Sequence, residues 1–365
     1  MVLELELVEP QRVDDTDKEL QRYLELQKAR VRVFGIGGGG NNTIARMMEI
    51  GIKGADLVAI NTDAQDLLYT PAMSKILIGK ELTFGLGAGS DPKVGEEAAR
   101  ESESEIRKKL QGANLAFITC GLGGGTGSGA APVVAEVAKK LGMLTIAVVT
   151  LPFGIEGKRR WENAIYGLER LEDVVDTLIV IPNDKLLELA PDLPLQTAFK
   201  VADEILTNAV KGITELITNP GLVNLDFADI KAIMTKAGVA MIGVGESDAK
   251  GRARDSIEKA INNPLLDVDV EGASGALINI IGGKDMSLDE AKDIISYVNE
   301  KLSDDARMIW GASISEDMDK TLRVMIIITG VKSPQIFGAF EGKGEGKDRE
   351  GRGKFKDDLG IEFID

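Results

Sequence analysis

The amino-acid sequence predicts an α/β protein with a doubly wound parallel sheet, a long central helix and a second, smaller α/β domain with a mixed sheet. Three observations carry this. Short runs rich in Val, Ile and Leu at 31–36, 57–60, 75–78, 115–120, 144–150 and 178–181 alternate with helix-period stretches such as 42–50, 94–110 and 130–141. Strands alternating with helices imply a parallel sheet covered on both faces. Across 195–217, Phe199, Ala202, Leu206, Ala209, Ile213 and Leu216 recur at spacings of three and four, which is one face of a helix. Beyond that helix, strand-like runs at 239–244, 276–281, 308–314 and 323–329 alternate less regularly with helical stretches at 253–262 and 287–302.

Taken in order, residues 1–30 are charged and carry a helix-like pattern through Leu20, Tyr23, Leu24 and Gln27, a leader helix. Residues 31–194 form the first domain, and in such sheets ligands bind at the carboxyl ends of the strands. Pro194 precedes the central helix, 195–219, and Pro220-Gly221 ends it, the expected punctuation. Residues 220–332 form the second domain. From 333 to 365 the character changes. Residues 341–356 are almost all Gly, Lys, Glu, Asp and Arg, too polar to bury a core, and read as a linker. Leu359–Asp365 regains apolar character as a terminal peptide.

Composition narrows the chemistry. No histidine occurs among the 365 residues, which removes Ser–His–Asp, Cys–His and His-ligated metal schemes. Cys120 is the only cysteine, so no internal disulfide can form and a reducing, cytoplasmic setting is expected. The N-terminus lacks the basic and apolar segments of a secretory signal. No apolar run approaches the roughly 18 residues of a membrane span. A net charge of −16 argues against sequence-independent nucleic-acid binding and against direct docking on an anionic membrane. A nucleotide remains compatible with that charge, because backbone N–H groups and a metal ion can neutralise phosphates.

Two glycine-rich segments follow strands and precede helices. Gly35-Ile36-Gly37-Gly38-Gly39-Gly40-Asn41-Asn42 matches GxGxxG through Gly35, Gly37 and Gly40. That pattern fits a phosphate turn, a dinucleotide-binding oxidoreductase with Asp63 as its acidic residue, or a tight turn without a ligand. Gly121-Leu122-Gly123-Gly124-Gly125-Thr126-Gly127-Ser128-Gly129 holds more glycines than a turn needs, at a cost on the order of 1 kcal/mol each inside a regular element. N–H groups wrapping a phosphate chain, with the Thr126 and Ser128 hydroxyls as further donors, account for them.

Here a resemblance emerges. Gly123–Gly129 resembles the tubulin signature GGGTGxG, and residues 31–331 resemble the FtsZ cell-division GTPases of the tubulin/FtsZ family, in an archaeal form. The resemblance implies GTP and GDP as ligands. Gly38, Gly39, Gly40, Asn41 and Asn42 would hold the nucleotide, with Thr62 and Asp63 near the phosphates and metal. Ala88 and Gly89 would sense the γ-phosphate, beside Asp91, where the family often has Asn. Gly125, Thr126 and Gly127 would wrap the phosphates, Glu156 and Arg160 would take the sugar, and Asn183 would reach the ribose or base. Phe199 would stack on guanine and Asp203 would accept from its N1–H and 2-amino group. From spacing alone, Phe199 is equally a core aromatic and Asp203 a solvated helix carboxylate. Mg²⁺ would be held mainly by phosphates and water, with no direct protein ligand.

Asp226 and Asp229 by themselves read as an N-cap and a first-turn acid. The resembled pattern NxDxxD, here Asn224, Asp226 and Asp229, instead implies catalytic residues acting on the neighbouring subunit's GTP in a head-to-tail filament. The same resemblance implies a cytoplasmic protein at the midcell division site, docked to a membrane-anchoring adaptor through Leu359–Asp365, without direct membrane insertion. A tubulin-like GTP-binding regulator that does not polymerise is a further alternative.

Overall fold

The computed structural model describes residues 29–189, 194–218, 222–223, 226–263, 273–303 and 305–331. The leader helix (residues 29 and 30 apart), Asn224, and the linker and terminal peptide lie outside the described residues.

The first half runs β1 (Val31–Ile36), α1 (Gly37–Ile50), β2 (Ala55–Asn61), α2 (Ala64–Tyr69), β3 (Ser74–Leu77), α3 (Lys80–Thr83), α4 (Pro92–Glu101) and α5 (Glu103–Leu110). It continues with β4 (Leu115–Gly121), α6 (Gly125–Lys140), β5 (Leu144–Leu151), α7 (Lys158–Glu172), β6 (Thr177–Pro182) and α8 (Asn183–Leu189). The central helix is α9 (Leu195–Thr218). The second half holds α10 (Phe227–Met234), β7 (Gly238–Ser247), α11 (Arg252–Ile261), β8 (Gly275–Gly282), α12 (Leu288–Asn299), β9 (Arg307–Ile314) and β10 (Leu322–Thr329).

Residues on these strands alternate between two cores, as a period of two requires. Val31, Val33, Leu115 and Phe117 face one side, packed with Ile44 and Met47 of α1 and Leu206, Ala209 and Ile213 of α9. Phe34, Ile36, Ala116 and Ile118 face the other, under Ala98 of α4, Val134 of α6 and Leu168 of α7. The sheet is thus covered on both faces.

The strand order is β3-β2-β1-β4-β5-β6-β7-β10-β8-β9. All neighbours pair in parallel except β10, which is antiparallel to β7 and β8. Where the sequence suggests one sheet per domain, a single ten-stranded sheet runs through both. Thr177–Ile179 of β6 pairs with Gly238–Ala240 of β7. The join is pinned from two sides: Thr177 Oγ1 donates to Met234 O at 2.6 Å, and Ala237 N donates to Asp176 O at 2.8 Å. The stretch 94–110 also differs, being two helices broken at Ser102. The apolar period continues across the break, where the Ser102 hydroxyl accepts from Gly79 N at 3.1 Å.

The sheet order reverses between β1 and β4, and both glycine-rich turns follow these two strands. A reversal of this kind opens a crevice at the carboxyl edge, the usual ligand position in doubly wound sheets. Helix α9 spans the sheet from that edge to the opposite one. Phe199 meets Phe153, just beyond β5, while Thr218 packs against Gly54, just before β2. The intervening 19 steps of helix measure about 29 Å.

Candidate nucleotide site

Both glycine segments are more helical than a loop. Gly37–Gly40 form the first turn of α1 and Gly125–Thr126–Gly127 the first turn of α6, and neither helix has a side-chain cap. Each therefore presents unsatisfied N–H groups and the positive end of its dipole to the crevice. The two turns touch: a Cβ on Gly37 would lie 2.9 Å from Gly127 N.

The glycines divide into two kinds. Gly125, Gly127 and Gly129 permit close packing, since Cβ atoms there would meet Asp91 N at 2.7 Å, Gly121 O at 2.7 Å and Pro92 O at 1.9 Å. Much of this glycine run therefore serves the contact of α6 with α4 and β4, a use the sequence does not distinguish from phosphate wrapping. Gly38, Gly89 and Gly124 have open space where a side chain would project, with nothing nearer than 4.0 Å. These three mark backbone that a ligand can approach.

Hydroxyls and amides tie the turns together. Thr62 Oγ1 and Thr126 Oγ1 share a hydrogen bond of 2.7 Å. Ser128, expected as a phosphate donor, is buried, and its hydroxyl oxygen accepts from Gly123 N at 2.9 Å, a bond that does not use the hydroxyl's own proton. Asn163, which the sequence did not single out, donates from Nδ2 to Ser90 O and Gly123 O, at 2.8 and 3.2 Å. Around Ala88 and Gly89 the backbone takes positive φ at Phe84, Gly85, Gly87, Gly89 and Ser90. For Phe84 and Ser90 this costs about 1 kcal/mol each. Asp91 caps α4 by accepting from Lys93 N at 2.9 Å. Asp and Asn cap helices about equally well, so Asp91 fills the structural place of the expected Asn. Asp63 likewise caps α2, through Gln65 N and Asp66 N at 2.9 and 3.0 Å.

The far end of the crevice is built from β5, β6 and α9. Glu156 accepts from Phe153 N at 2.8 Å and from Arg160 Nη1 at 2.6 Å. Asn183 is buried and its Oδ1 has no partner among the described residues. Phe199 is 40 % exposed and meets Phe153 edge-on at 5.1 Å, so it is a surface platform and not a core aromatic. Asp203 is half-buried, not solvated. Burial pushes its carboxyl up to about 6, against the opposing pull of the Thr43 hydroxyl and Arg46.

Asp226 and Asp229 stand elsewhere. They form a reciprocal capping box on α10, with Asp229 N donating to Asp226 Oδ1 at 2.8 Å and Asp226 N to Asp229 Oδ2 at 3.3 Å. Both are exposed. Helix α10 is held at Met234 against the first residue of β6, whereas the glycine turn follows the last residue of β4. A strand's length, about 20 Å, separates those two edges.

Comparison with known proteins identifies this arrangement. The GTPase-domain model of the Tubulin/FtsZ family matches residues 30–191, and the C-terminal domain model of the FtsZ family matches residues 238–332. The chain belongs to the tubulin/FtsZ family. Cell division protein FtsZ 1 of Thermococcus kodakarensis is 62 % identical over 320 residues, spanning 88 % of this chain and 86 % of that protein. An empty FtsZ dimer from M. jannaschii is 58 % identical and superposes with a TM-score of 0.83, covering 87 % of this chain and 92 % of that one. A GTPγS-bound protofilament of CetZ2 from Haloferax volcanii shares the fold, with a TM-score of 0.74 at 22 % identity.

As an FtsZ of archaeal type, the chain is a GTP-dependent cytoskeletal GTPase of the cell-division class. The oxidoreductase alternative falls with this assignment. Strand order could not have excluded it, because β3-β2-β1-β4-β5-β6 is also the dinucleotide-binding order. Among the described residues no helix is long and apolar enough to cross a membrane.

Proposed function

We propose that the chain binds GTP along the crevice, assembles head to tail with copies of itself, and hydrolyses the nucleotide only where two subunits meet. The N–H groups of Gly38–Gly40 and Gly125–Gly127, with Asn41, Asn42, Thr62 and Thr126, receive the phosphates. The open backbone at Gly38, Gly89 and Gly124 supports a phosphate chain lying across all three segments. Ala88 and Gly89 flank the γ-phosphate. Glu156, Arg160 and Asn183 take the sugar, with Phe199 against one face of the base and Asp203 on its N–H edge. Adenine has no donors there, so Asp203 selects guanine.

Mg²⁺ fits this crevice as a partner of the phosphates, not as a caged ion. The described residues form no cluster of three acids, cysteines or histidines, while Asn41 Oδ1 is an unused acceptor. Bound with the phosphates, the ion would offset their charge, and Asn41 is a side chain with an acceptor left to meet it or its water.

One observation supports the shared site: Asp226 and Asp229 are exposed carboxylates at the start of α10, a helix whose last residue, Met234, is held to the sheet edge opposite the glycine turns. Asp63 and Asp91 in the crevice cap helices through Oδ1, as Asp226 does at α10. A head-to-tail neighbour brings Asp226, Asp229 and Asn224 onto the γ-phosphate, where the carboxylates orient and polarise the attacking water. Phosphoryl transfer asks mainly for such positioning. Head-to-tail contacts propagate as open filaments. Exposed Phe84 and Leu86 beside Ala88 and Gly89, and exposed Leu222 near Asp226, supply apolar surface at the two ends.

In this arrangement residues 31–194 are the GTP-binding domain, 195–219 the spacer helix and 220–332 the activating domain. Leu359–Asp365 docks a membrane-anchoring adaptor at the cytoplasmic face of the division site, and deleting it should abolish midcell recruitment while leaving GTPase activity intact. The deciding experiment is GTP turnover per subunit against protein concentration, with Asp229→Ala alongside. Turnover that rises above a critical concentration, and is lost in the variant with GTP binding intact, supports the shared site. Concentration-independent turnover, or full activity in the variant, overturns it.

A further inference from the structure

We propose that Asp66 is a positioning residue of the nucleotide crevice, which fixes the amide of Asn41 so that its oxygen faces away from the protein's own donors and accepts from the bound nucleotide assembly. This rests on the GTP site proposed above.

Asp66 lies in the first turn of α2, with its backbone N–H held by the Asp63 cap at 3.0 Å. Its Oδ2 accepts two side-chain amides, Asn41 Nδ2 at 3.0 Å and Asn61 Nδ2 at 2.6 Å. The same oxygen is the nearest atom, at 4.0 Å, to the open position above Gly38. A carboxylate this close to a phosphate turn works against anion binding through its charge, so what it contributes there is the pair of hydrogen bonds it accepts.

A carboxylate only accepts, so each Asn must turn its nitrogen towards Asp66 and its oxygen away. For Asn61 this orientation is set independently, because Asn61 Oδ1 accepts from Thr62 N at 2.9 Å and Asp63 N at 3.2 Å. For Asn41 it is not. Asn41 is 1 % exposed, and its Oδ1 is buried without a partner among the described residues. A buried acceptor left unpaired is costly, and a ligand that donates to it recovers that cost. Without Asp66 no partner among the described residues holds the amide in this sense, and it can rotate to present nitrogen instead. Asp66 thus decides whether Asn41 offers the crevice an acceptor or a donor. An acceptor beside a phosphate chain suits a donor brought with it, such as water on the phosphate-bound cation.

The chemistry separates two carboxylate properties. Asp66→Asn keeps an oxygen that can accept both amides but removes the charge, whereas Asp66→Ala removes the acceptor. The test is the affinity of the full-length chain for GTP and GDP, with and without Mg²⁺, together with melting of the nucleotide-free protein. Asp66→Ala should weaken Mg·GTP binding by about fivefold or more, and Asp66→Asn by no more than about twofold. Because Asp66 acts through Asn41, Asp66→Ala introduced into Asn41→Ala should cost less than about twofold further.

Three outcomes overturn the inference: Asp66→Ala binding Mg·GTP like the wild type, Asp66→Asn as damaged as Asp66→Ala, or fully additive losses in the double variant. A variant that melts early yet binds with wild-type affinity also overturns it, since that marks a merely structural role. Failure of the wild-type chain to bind GTP at all would instead overturn the nucleotide site, and this inference with it.

Discussion

At Asp203 the fold keeps a carboxylate where burial disfavours its charge. With its carboxyl raised to about 6, the folded protein holds that proton more tightly than the unfolded chain does. Stability from this group is therefore full at acid pH and is lost as pH rises through about 6. Asp203→Asn removes the cost, so at pH 7.5 the nucleotide-free variant should gain about 1–3 kcal/mol, read as a higher midpoint in urea or heat. The same variant should lose guanine selectivity, because an amide, unlike a carboxylate, can also donate to an acceptor such as adenine N1. Wild-type GDP affinity, which needs the ionised form, should fall about tenfold per pH unit below about 6, and Asp203→Asn should show a flat profile by calorimetry. A gain in stability coupled to a loss of function is the mark of a site residue held against its preference. None of this was legible from spacing, which left Asp203 as a solvated carboxylate. Thr43, which contacts it, lies 160 positions earlier in the chain, and only the packing of α9 on α1 brings them together.

Helices and strands were the most legible features, because the periods of 2 and 3.6 come directly from burial on a sheet face or a helix stripe. The central helix, read as 195–217, is Leu195–Thr218, and the six alternating runs of the first half are its six strands to within a few residues. The break at Ser102 and the join of β6 to β7 were not legible. Each depends on hydrogen bonds between residues distant in sequence, Ser102 with Gly79 and Thr177 with Met234. The glycines of α6 show the same limit. In sequence they are alike, yet Gly129 presses on Pro92 of α4 while Gly124 faces open space. Gly129→Ala should therefore destabilise by about 3 kcal/mol or more through overpacking, with α4 and α6 forced apart. Gly124→Ala should leave stability within about 0.5 kcal/mol of wild type, because nothing opposes the added methyl. Its effect should appear in GTP affinity, which falls as the methyl meets the ligand. Thermal melts of both variants beside nucleotide titration of Gly124→Ala check this; equal melting points would mean that the α4–α6 contact yields easily.

On the scale of the whole molecule, the central helix carries Phe199 and Asp203, the proposed base-binding residues, near its start, and the proposed acid pair follows its end in sequence. The two halves of the proposed reaction centre are thus held a fixed distance apart and can meet only between copies. Glu at Phe84 or Leu86 would put a charge into the proposed contact. Phe84→Glu or Leu86→Glu should raise the critical concentration for sedimentation about tenfold or more, as expected from losing one buried apolar side chain, without changing GTP affinity. The sharper consequence concerns two inactive variants. Asp203→Asn, weakened for GTP and left unloaded at limiting nucleotide, keeps Asp226 and Asp229. Asp229→Ala binds GTP but cannot activate its neighbour's. Alone, each filament lacks one half of every reaction centre. Mixed in equal amounts, half of the subunits carry GTP, and half of those meet a competent acid pair. Random co-assembly should then restore up to about a quarter of wild-type turnover per subunit, and only above the critical concentration. A mixture as inactive as its components, although both variants co-sediment, would show that the acid pair acts within its own chain.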